Sequence, residues 1–475
     1  MDEAVLLAAL LRDNLPAFME WVFTILEPGT TFLPNWHYEH LCWHLMRVMK
    51  GESRRLIINV PPRSGKSLLG SVAWPMFVLG HDPTKRVICV SHTEDLARKF
   101  SVDRRTIAQN GRFRELFPRF RLAQARDLEL STTRRGSCFA AGVTGRVLGR
   151  GADLIIIDDP IKGIAALSQA ERRRVAESYD NTLVTRLNDK QTGAIVIIMQ
   201  RLHEDDLVGH VLDRDEWDVV SLPAIAVEEG AYRLSDAPRD IHHCAPGELL
   251  HEAREPRAVL EGVRRAQGSL LFNAQYQQSP VPPGGNVIKR DWLRSFDEEP
   301  EAFDRIIVSW DTASTIGYEN DWSVGTVWGA VGLDYYLLDV VREKLESPDL
   351  RRSIIRLSEH YEADATLIED TELGRALQQD LRQTNRLRPI LQRPRFDKEA
   401  RLLAQAPRFE AGQVHLPREA PWLASYVSEL LAFPQGKHDD QVDSTSQALR
   451  YLTGKMPVDR PIVRRDVTRR DVVRR

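Results

Sequence analysis

The stretch VPPRSGKSLLG, residues Val60–Gly70, decides the fold of the first half of the chain. It follows RLIINV, an apolar run typical of a buried strand, and leads into apolar residues at helical spacing. In such a strand–loop–helix unit, backbone N–H groups and the helix N-terminus surround phosphate groups, and a lysine reaches the terminal ones. Gly65, Lys66 and Ser67 supply these parts, so the stretch predicts a phosphate-binding loop.

The loop departs from the usual pattern at its start, where Val60 stands in place of a glycine. Pro61 and Pro62 follow, and because proline fixes φ, they can stiffen the turn that the glycine would otherwise permit. We therefore expect nucleotide binding to survive this departure. Arg63 and Ser64 are predicted to join the GKS residues around the phosphates.

A downstream apolar strand that ends in carboxylates is the second feature that an ATPase needs. LIIIDDP provides it: Leu154–Ile157 form the predicted strand, and Asp158 and Asp159 follow. We expect ATP as the nucleotide, with Mg²⁺ bound directly by Ser67 and through water by Asp158. Asp159 then stands where a base would orient the attacking water.

Polar residues follow the next apolar strand, AIVIIM, at the same predicted sheet edge. Gln200 is our candidate for sensing the γ-phosphate, although for it, as for Arg201 and His203, an ordinary strand-end loop explains the pattern equally well. The glycine-rich stretch GVTGRVLGRGAD supplies Arg146 and Arg150. Either arginine is a candidate arginine finger or DNA contact, and Arg146 is included among the predicted nucleotide-binding residues.

Length and composition set outer bounds on the function. With 475 residues, the chain exceeds the size of a single core, so two domains are expected. An apolar content of 42% and a charged content of 28% indicate a globular protein, and no apolar run is long enough for a membrane span. The N-terminus lacks the basic region of a signal peptide. The formal net charge of −3 leaves DNA binding open, because a local basic groove is sufficient.

Apolar strands and helical patterns alternate twice along the chain, which predicts two α/β domains. The first set runs from about residue 56 to 199 and predicts a parallel sheet with helices on both faces. The second begins at RIIVSWDTA. Between them, QQSPVPPGGNVIKRDW is rich in proline and glycine and is the predicted linker.

Carboxylates gather at three places in the second half of the chain. They are Asp311 after a predicted strand, Glu369 and Asp370 after another, and Asp439, Asp440 and Asp443 at the start of a predicted helix. One acid near a helix N-terminus is mildly favourable, but three within five residues repel one another. A divalent-metal site explains the whole set best, with oxygen ligands suited to Mg²⁺ or Mn²⁺.

Two metals held in this way would cleave a phosphodiester. The predicted catalytic acids are Asp311, Glu369 and Asp440, and Asp370 and Asp443 are predicted as further metal ligands. The sequence leaves open which of the three helix acids bind metal. Other candidates are also open: Asp321 either assists the site or caps a turn, and His438 is a ligand, a proton shuttle or a solvated residue.

Two other stretches have unusual composition. IHHCAPGELLHEARE contains adjacent histidines and a cysteine, but adjacent residues rarely converge on one ion without further ligands, so we do not predict a metal site there. Between Arg464 and Arg475, six arginines stand against two aspartates. This tail lacks an apolar face and is predicted to be disordered when free, as a solubilising tail or as an arm for an acidic partner or DNA.

The order of these motifs resembles that of the large terminase subunit of tailed bacteriophages. VPPRSGKS is similar to the family's phosphate loop, LIIIDDP to its acidic strand and QRLHEDDL to its motif III, while WDTA, IEDT and HDDQVDS look like its three nuclease motifs. The resemblance implies an α/β fold of two domains, a P-loop NTPase parallel sheet followed by a ribonuclease H-like nuclease. We place the ATPase domain at 1–285, the nuclease domain at 286–455 and the basic tail at 456–475.

The resemblance also implies a function. ATP hydrolysis would drive double-stranded DNA through a portal protein into a procapsid, and the nuclease would cut the concatemer. The implied partners are DNA, the portal and the small terminase subunit, without any membrane. The implied oligomer is a pentamer on the portal and a monomer in solution, located in the host cell cytoplasm and encoded by a phage or prophage. The sequence does not distinguish headful from site-specific cutting.

The family contacts adenine with a segment upstream of the phosphate loop, and FLPNWHYEHLCWHL around Trp36 and His37 is the candidate counterpart, although the usual glutamine is not evident. Two other functions compete with packaging. A DNA-repair helicase-nuclease would also pair these activities, but common helicases carry two ATPase cores. A nucleotide switch with a degenerate second domain would not need the intact acids.

Overall fold

The computed structural model describes residues 3–145, 147, 149–280, 287–312, 322–345, 347–384, 387–394, 396–435, 439–454 and 465–466. Arg146, Asp321 and His438, which the sequence singled out, lie outside these residues. The chain divides into two compact units, Met1–Pro282 and Pro283–Arg475, close to the predicted boundary between residues 285 and 286. None of the described helices is both long and apolar enough to cross a membrane.

The first unit is built from alternating strands and helices. Its strands are β1 (Arg55–Asn59), β2 (Arg86–Ser91), β3 (Leu122–Ala125), β4 (Glu129–Thr132), β5 (Ser137–Gly142), β6 (Leu154–Asp158), β7 (Ala194–Met199), β8 (Asp218–Ser221), β9 (Gly230–Arg233) and β10 (Ile241–Cys244). Its α-helices are α1 (Glu3–Asp13), α2 (Leu15–Leu26), α3 (Trp36–Met49), α4 (Trp74–His81), α5 (Glu94–Gln109), α6 (Gly111–Leu116), α7 (Gln169–Ser178), α8 (Leu207–Leu212) and α9 (Arg257–Gln275).

The main sheet of this unit has the strand order β3-β4-β5-β2-β6-β7-β1-β8, and β9 and β10 form a separate hairpin. From β5 to β8 all neighbouring strands are parallel. Strand β7 lies between β1 and β6. The end of β7 therefore lies between the end of β1, which leads into the phosphate loop, and the end of β6, which carries Asp158.

Both faces of this sheet are covered, which is why its central strands are almost entirely apolar. Leu56 and Ile58 of β1 pack into a core formed with the N-terminal helices, where Phe18 and Phe77 contact edge to face at 5.3 Å. Ile57, which points the other way, packs with residues around α7 and α8. The predicted parallel arrangement with helices on both faces is present.

The second unit has its own sheet. Its strands are β11 (Arg294–Phe296), β12 (Ala302–Phe303), β13 (Arg305–Asp311), β14 (Ser323–Val331), β15 (Asp334–Glu343), β16 (Ala365–Glu369), β17 (Ile390–Gln392), β18 (Val414–Pro417) and β19 (Arg465–Asp466). Its helices are α10 (Ser347–His360), α11 (Glu372–Thr384), α12 (Lys398–Leu403), α13 (Ala406–Glu410), α14 (Leu423–Ala432) and α15 (Asp440–Leu452).

The sheet order is β11-β18-β15-β14-β13-β16-β17. Strands β13, β14 and β15 form an antiparallel meander, whereas β16 runs parallel to β13. Val308 and Trp310 of β13 face the apolar core under α10 and α11. Ser309 points to the opposite face, where α15 lies and where its hydroxyl donates to the carbonyl of Ser444 at 2.9 Å.

The structure describes two residues of the predicted basic tail. Arg465–Asp466 forms a short strand, β19, antiparallel to β12. The remaining residues of the predicted disordered tail, 456–464 and 467–475, lie outside the described residues.

Candidate ATPase and nuclease sites

The phosphate loop is held in shape by backbone conformation and by two hydrogen bonds. Gly65 has φ +75°, in the left-handed region, and a Cβ there would come within 2.7 Å of the Tyr38 ring. The Ser64 hydroxyl donates to the carbonyl of Pro61 at 2.8 Å. Below the loop, Nε2 of His37 lies 3.2 Å from the carbonyl oxygen of Ser64. Burial lowers the pKa of His37 to about 3, so the neutral ring donates this bond.

Lys66 is the cation at the centre of the first site. Only 5% of its side chain is exposed, and its ammonium lies 3.0 Å from the carboxylate of Asp159 and 3.1 Å from the amide oxygen of Gln200. The N–H of Gln200 also donates to Asp159 at 3.3 Å. The ends of β6 and β7 are therefore joined through one lysine at the place where phosphates would bind.

Asp158 lies beside this group and is fully enclosed. Its two carboxylate oxygens accept from the hydroxyls of Ser67 at 3.1 Å and Ser71 at 2.8 Å. Burial and the neighbouring Asp159 raise the pKa of Asp158 to about 7, against the opposing effect of Lys66. A hydroxyl and a carboxylate side by side are the hard oxygen donors that Mg²⁺ prefers.

Asp159 itself is in an uncommon conformation for a non-glycine residue, with φ +41°. Its N–H donates to the carbonyl of Ile198 at 2.9 Å, which holds the backbone at the end of β6 against β7. Strain of this kind costs about 1–3 kcal/mol and persists only where surrounding contacts determine it. Here it turns the carboxylate toward Lys66, while Asp158 points to Ser67 and Ser71.

The stretch after β7 is fixed by an aspartate that sequence reasoning did not single out. Asp206 is fully buried, pairs with Arg201 at 3.0 Å and accepts from the N–H groups of Val208 and Gly209 at the start of α8. The backbone N–H of Arg201 donates to Gln278 at 2.9 Å. Arg201 thus has a structural role next to Gln200.

The remaining predicted residues of the first unit are placed as follows. Arg63 has φ +62° and, with His37, lines a cleft next to the loop. Trp36 does not line that cleft but stacks on His242, with ring centroids 4.3 Å apart. Arg150 is paired with Glu129 and covers the Phe139 ring. The role of Arg150 as an arginine finger or DNA contact stays a prediction.

The second site forms where β13, β16 and α15 meet. Trp310 is level with Ile368 in the parallel pair, so Asp311 and Glu369 end adjacent strands on the face that carries α15. Asp443 is in the first turn of that helix. Burial, the charge of Asp443 and the charge of Glu369 raise the pKa of Asp311 well above its usual value.

Helix α15 is locked in position by a buried polar seam, which sequence reasoning missed. The Ser444 hydroxyl donates to the carbonyl of Ser309 at 2.8 Å, and Gln447 donates to the Ser309 hydroxyl at 3.0 Å. The Thr326 hydroxyl lies 2.8 Å from that of Ser444. Because the three hydroxyl residues Ser309, Thr326 and Ser444 are buried, the seam fixes the rotation of the helix, and this rotation presents Asp443 to the cluster.

Two basic residues of α12 contact the cluster, and nothing in the sequence pointed to them. The Arg401 guanidinium lies 2.9 Å from Asp443 and 3.5 Å from Glu369. Lys398 lies 2.9 Å from Asp443 and 2.6 Å from Asp439. Even so, burial raises the pKa of Asp443 to about 6, and its Oδ1 is buried without a well-aligned hydrogen bond. A cluster with this excess of oxygen ligands fits a divalent cation.

The other predicted acids have different neighbours. Burial and the charges of Glu429 and Asp439 raise the pKa of Asp440, and Lys398 and Arg342 oppose this shift. Asp370 is paired with Arg375 at 2.6 Å, and this hydrogen bond lowers its pKa. The residues that the structure brings to Asp311 are thus Glu369 and Asp443.

Two family models match the chain. The model described as "Terminase large subunit, T4likevirus-type, N-terminal" matches residues 57–295, and the one described as "Terminase RNaseH-like domain" matches residues 308–452. The chain belongs to the terminase large subunit family. The predicted family and the predicted fold class, an ATPase domain followed by a ribonuclease H-like domain, are confirmed.

Solved structures agree with this fold. The large terminase from a thermophilic bacteriophage is similar over 86% of this chain and 98% of that chain, at 13% identity and a TM-score of 0.52. The same large terminase in complex with ADP is similar over 86% of this chain and 99% of that chain, at 12% identity and a TM-score of 0.52. No curated protein matches the chain.

The predicted function follows from the family. This terminase is an ATPase and a nuclease of phage DNA packaging. Neither match supports the alternative of a DNA-repair helicase-nuclease.

Proposed function

We propose that this terminase hydrolyses ATP at the Lys66 site to move double-stranded DNA into a procapsid, and cuts that DNA at the cluster of Asp311, Glu369 and Asp443. The observation that carries the proposal is the position of the Lys66 ammonium, within 3.1 Å of both Asp159 and Gln200. A γ-phosphate that approaches Lys66 would meet both strand ends at once.

The roles at the ATP site follow from these contacts. Lys66 would exchange part of its contact with Asp159 for phosphate oxygens, and the freed carboxylate of Asp159 would orient and polarise the attacking water. Gln200 would report the presence of the γ-phosphate through the same lysine. Ser67 and Asp158 would hold Mg²⁺, which neutralises charge on the phosphates.

The cleft beside the loop is our candidate for the base of the nucleotide. It is lined by His37, Arg63, His251, Arg254 and Leu260, a mixture of ring, apolar and polar groups. The large terminase of the thermophilic bacteriophage has been solved in complex with ADP. By analogy, we expect adenine nucleotides here, with His37 rather than Trp36 next to the ligand.

At the acidic cluster, we propose Mg²⁺ as the metal, with Mn²⁺ as a substitute. Divalent ions bound to such carboxylates stabilise the charge that develops on a phosphodiester during cleavage. Asp311, Glu369 and Asp443 would bind them. Arg401 and Lys398 would release part of their contact with Asp443 when a cation arrives, and both are then free to contact DNA phosphates.

The proposed partners are the portal protein, the small terminase subunit and other copies of this chain. We propose a pentamer on the portal, a monomer in solution, and action in the cytoplasm of the host cell. Mass measurements of the free chain and of the chain bound to portal test the oligomer, and a single copy of the chain in each portal complex would contradict it.

Packaging of linear DNA into portal-bearing procapsids tests translocation directly. With the full chain and ATP, DNA should become protected from added nuclease. We expect Lys66→Ala to abolish protection, whereas Asp443→Asn, which leaves the ATP site intact, should still package DNA that is already cut. Protection by Lys66→Ala would contradict the proposed ATP site.

A further inference from the structure

The β9–β10 hairpin carries a second group of metal-binding side chains, different in chemistry from both sites described above. His242 and Cys244 are two residues apart in β10, so they point to the same face of the hairpin. His243, between them, points away and is exposed. The adjacent histidines in the sequence therefore do not act as a pair, and only His242 lies beside Cys244.

A tight turn after β10 supplies a third ligand. The N–H of Glu248 donates to the carbonyl of Ala245 at 3.0 Å, and Gly247 has φ +84°, which glycine adopts readily. In return, the Ala245 N–H donates to Oε2 of Glu248 at 3.0 Å. This bond turns the carboxylate back toward the hairpin, and Oε1 lies 3.5 Å from Nε2 of His242.

Among the described residues, these three are the group of histidine, cysteine and acidic side chains whose ligand atoms all lie within 4.8 Å of one another. Three atoms at that spacing lie within about 2.8 Å of a common point. Small side-chain rotations that move each ligand atom by under about 1 Å would therefore reach Zn–N and Zn–S bond lengths. A thiolate, an imidazole and a carboxylate together suit Zn²⁺ better than the harder Mg²⁺.

The surroundings prepare His242 for this role. Its ring stacks on Trp36 at 14° between planes, which fixes its orientation, and its Nε2 is buried without a hydrogen bond of good geometry. Cys244 is buried, whereas Glu248 is half-exposed in a small surface depression that is also lined by Trp36 and Tyr232. Because the Glu248 side chain is partly exposed, solvent reaches its side of the group and can supply a fourth ligand.

We propose that His242, Cys244 and Glu248 bind one Zn²⁺ ion, with water as the fourth ligand, as a structural clip on the first unit. On binding, the thiol releases its proton to solvent and the sulfur bonds to the metal. The bound ion would restrain the segment from Cys244 to Glu248, which continues to Leu250 and His251. The Leu250 carbonyl accepts from Asn35 at 2.7 Å, and His251 lines the cleft next to the phosphate loop.

Cobalt substitution in the full chain tests the proposal. Chain stripped with a chelator and titrated with Co²⁺ should develop a thiolate-to-cobalt charge-transfer band that saturates at one equivalent and disappears when one equivalent of Zn²⁺ is added. The acidic cluster of the second unit contains no sulfur ligand among its described residues, so cobalt bound there does not produce the band. The chain with Asp311→Asn should show the band unchanged.

Variants assign the ligands. Cys244→Ser should abolish the band, and His242→Phe, which keeps a ring against Trp36, should weaken Zn²⁺ binding at least about tenfold. Glu248→Gln, which can still accept from Ala245, should also weaken it. His243→Ala is the matched control and should bind normally.

Thermal unfolding provides an independent measure. Zn²⁺ should raise the Tm of the parent chain and of His243→Ala, but not that of Cys244→Ser. A band that survives Cys244→Ser, or a folded parent chain that shows no band at saturating Co²⁺, would overturn the site. The thiol would then serve only as a hydrogen-bond partner of Glu248.

Discussion

The ATP site and the acidic cluster handle charge in different ways. At the ATP site, each acid has its own partners: Asp158 accepts from the hydroxyls of Ser67 and Ser71, and Asp159 pairs with Lys66. At the acidic cluster, three acids from three separate elements face two basic residues of a fourth, α12, and one buried oxygen still lacks a good hydrogen bond. The first site already pairs its carboxylates without a ligand, whereas the second keeps an excess of negative charge that the proposed cation would balance.

The largest effect should come from removing Lys66, whose ammonium contacts both Asp159 and Gln200. We expect Lys66→Ala to lower the ATPase rate of the full chain about a thousandfold, because the phosphates lose their charge partner and Asp159 and Gln200 lose their common contact. Lys190→Ala, an exposed lysine of the same unit, is the control. Plasmid cleavage by Lys66→Ala should be unchanged. If both activities fall together, the two sites are not separate.

A smaller effect concerns the support below the phosphate loop. Burial lowers the pKa of His37 to about 3, below its value of about 6.5 in the unfolded chain. Below pH 6.5, the unfolded chain therefore binds a proton that the folded chain does not, and stability falls as the pH falls. Protonation of His37 in the unfolded chain should lower the free energy of unfolding by about 2 kcal/mol between pH 6.5 and pH 5.

Urea unfolding of the first unit at these two pH values measures this cost. From pH 6.5 to pH 5, the free energy of unfolding of His37→Gln should fall by about 2 kcal/mol less than that of the parent chain. The control His243→Gln, which changes an exposed residue, should behave like the parent. An equal loss in His37→Gln and the parent would show that the loop does not rest on a buried neutral histidine.

The smallest effect tests the competition between arginine and metal at the acidic cluster. Because the Arg401 guanidinium lies 2.9 Å from Asp443, it repels an arriving cation. We expect Arg401→Gln to tighten Mn²⁺ binding about tenfold, or about 1.4 kcal/mol, by calorimetry. Arg375→Gln, which frees Asp370 instead, should leave the affinity unchanged. Weaker binding by Arg401→Gln would mean that Arg401 organises the acids instead of competing with metal.

The sequence was most informative where one site is built from consecutive residues. The loop from Val60 to Ser67 is a single strand–turn–helix unit, so its residues identify it without knowledge of the tertiary structure. Asp158 and Asp159 follow a strand, and consecutive residues there point in different directions. The sequence could therefore place both acids near the phosphates, and the structure separates their neighbours.

The acidic cluster shows what the sequence could not decide. Asp440 and Asp443 share one stripe of a helix, so spacing alone does not choose between them. The choice depends on the rotation of α15, which the buried contacts of Ser309 with Ser444 determine. Likewise, the sequence does not give the register of β16 against β13, and this register places Glu369, but not Asp370, beside Asp311.

We propose that Asp311, Glu369 and Asp443 form the nuclease site. The direct test is the rate of Mn²⁺-dependent plasmid cleavage by Asp443→Asn and Asp440→Asn in the full chain, with ATPase activity as the check on folding. We predict a loss of at least about a hundredfold for Asp443→Asn and of less than about tenfold for Asp440→Asn. The reverse order would contradict the site described here.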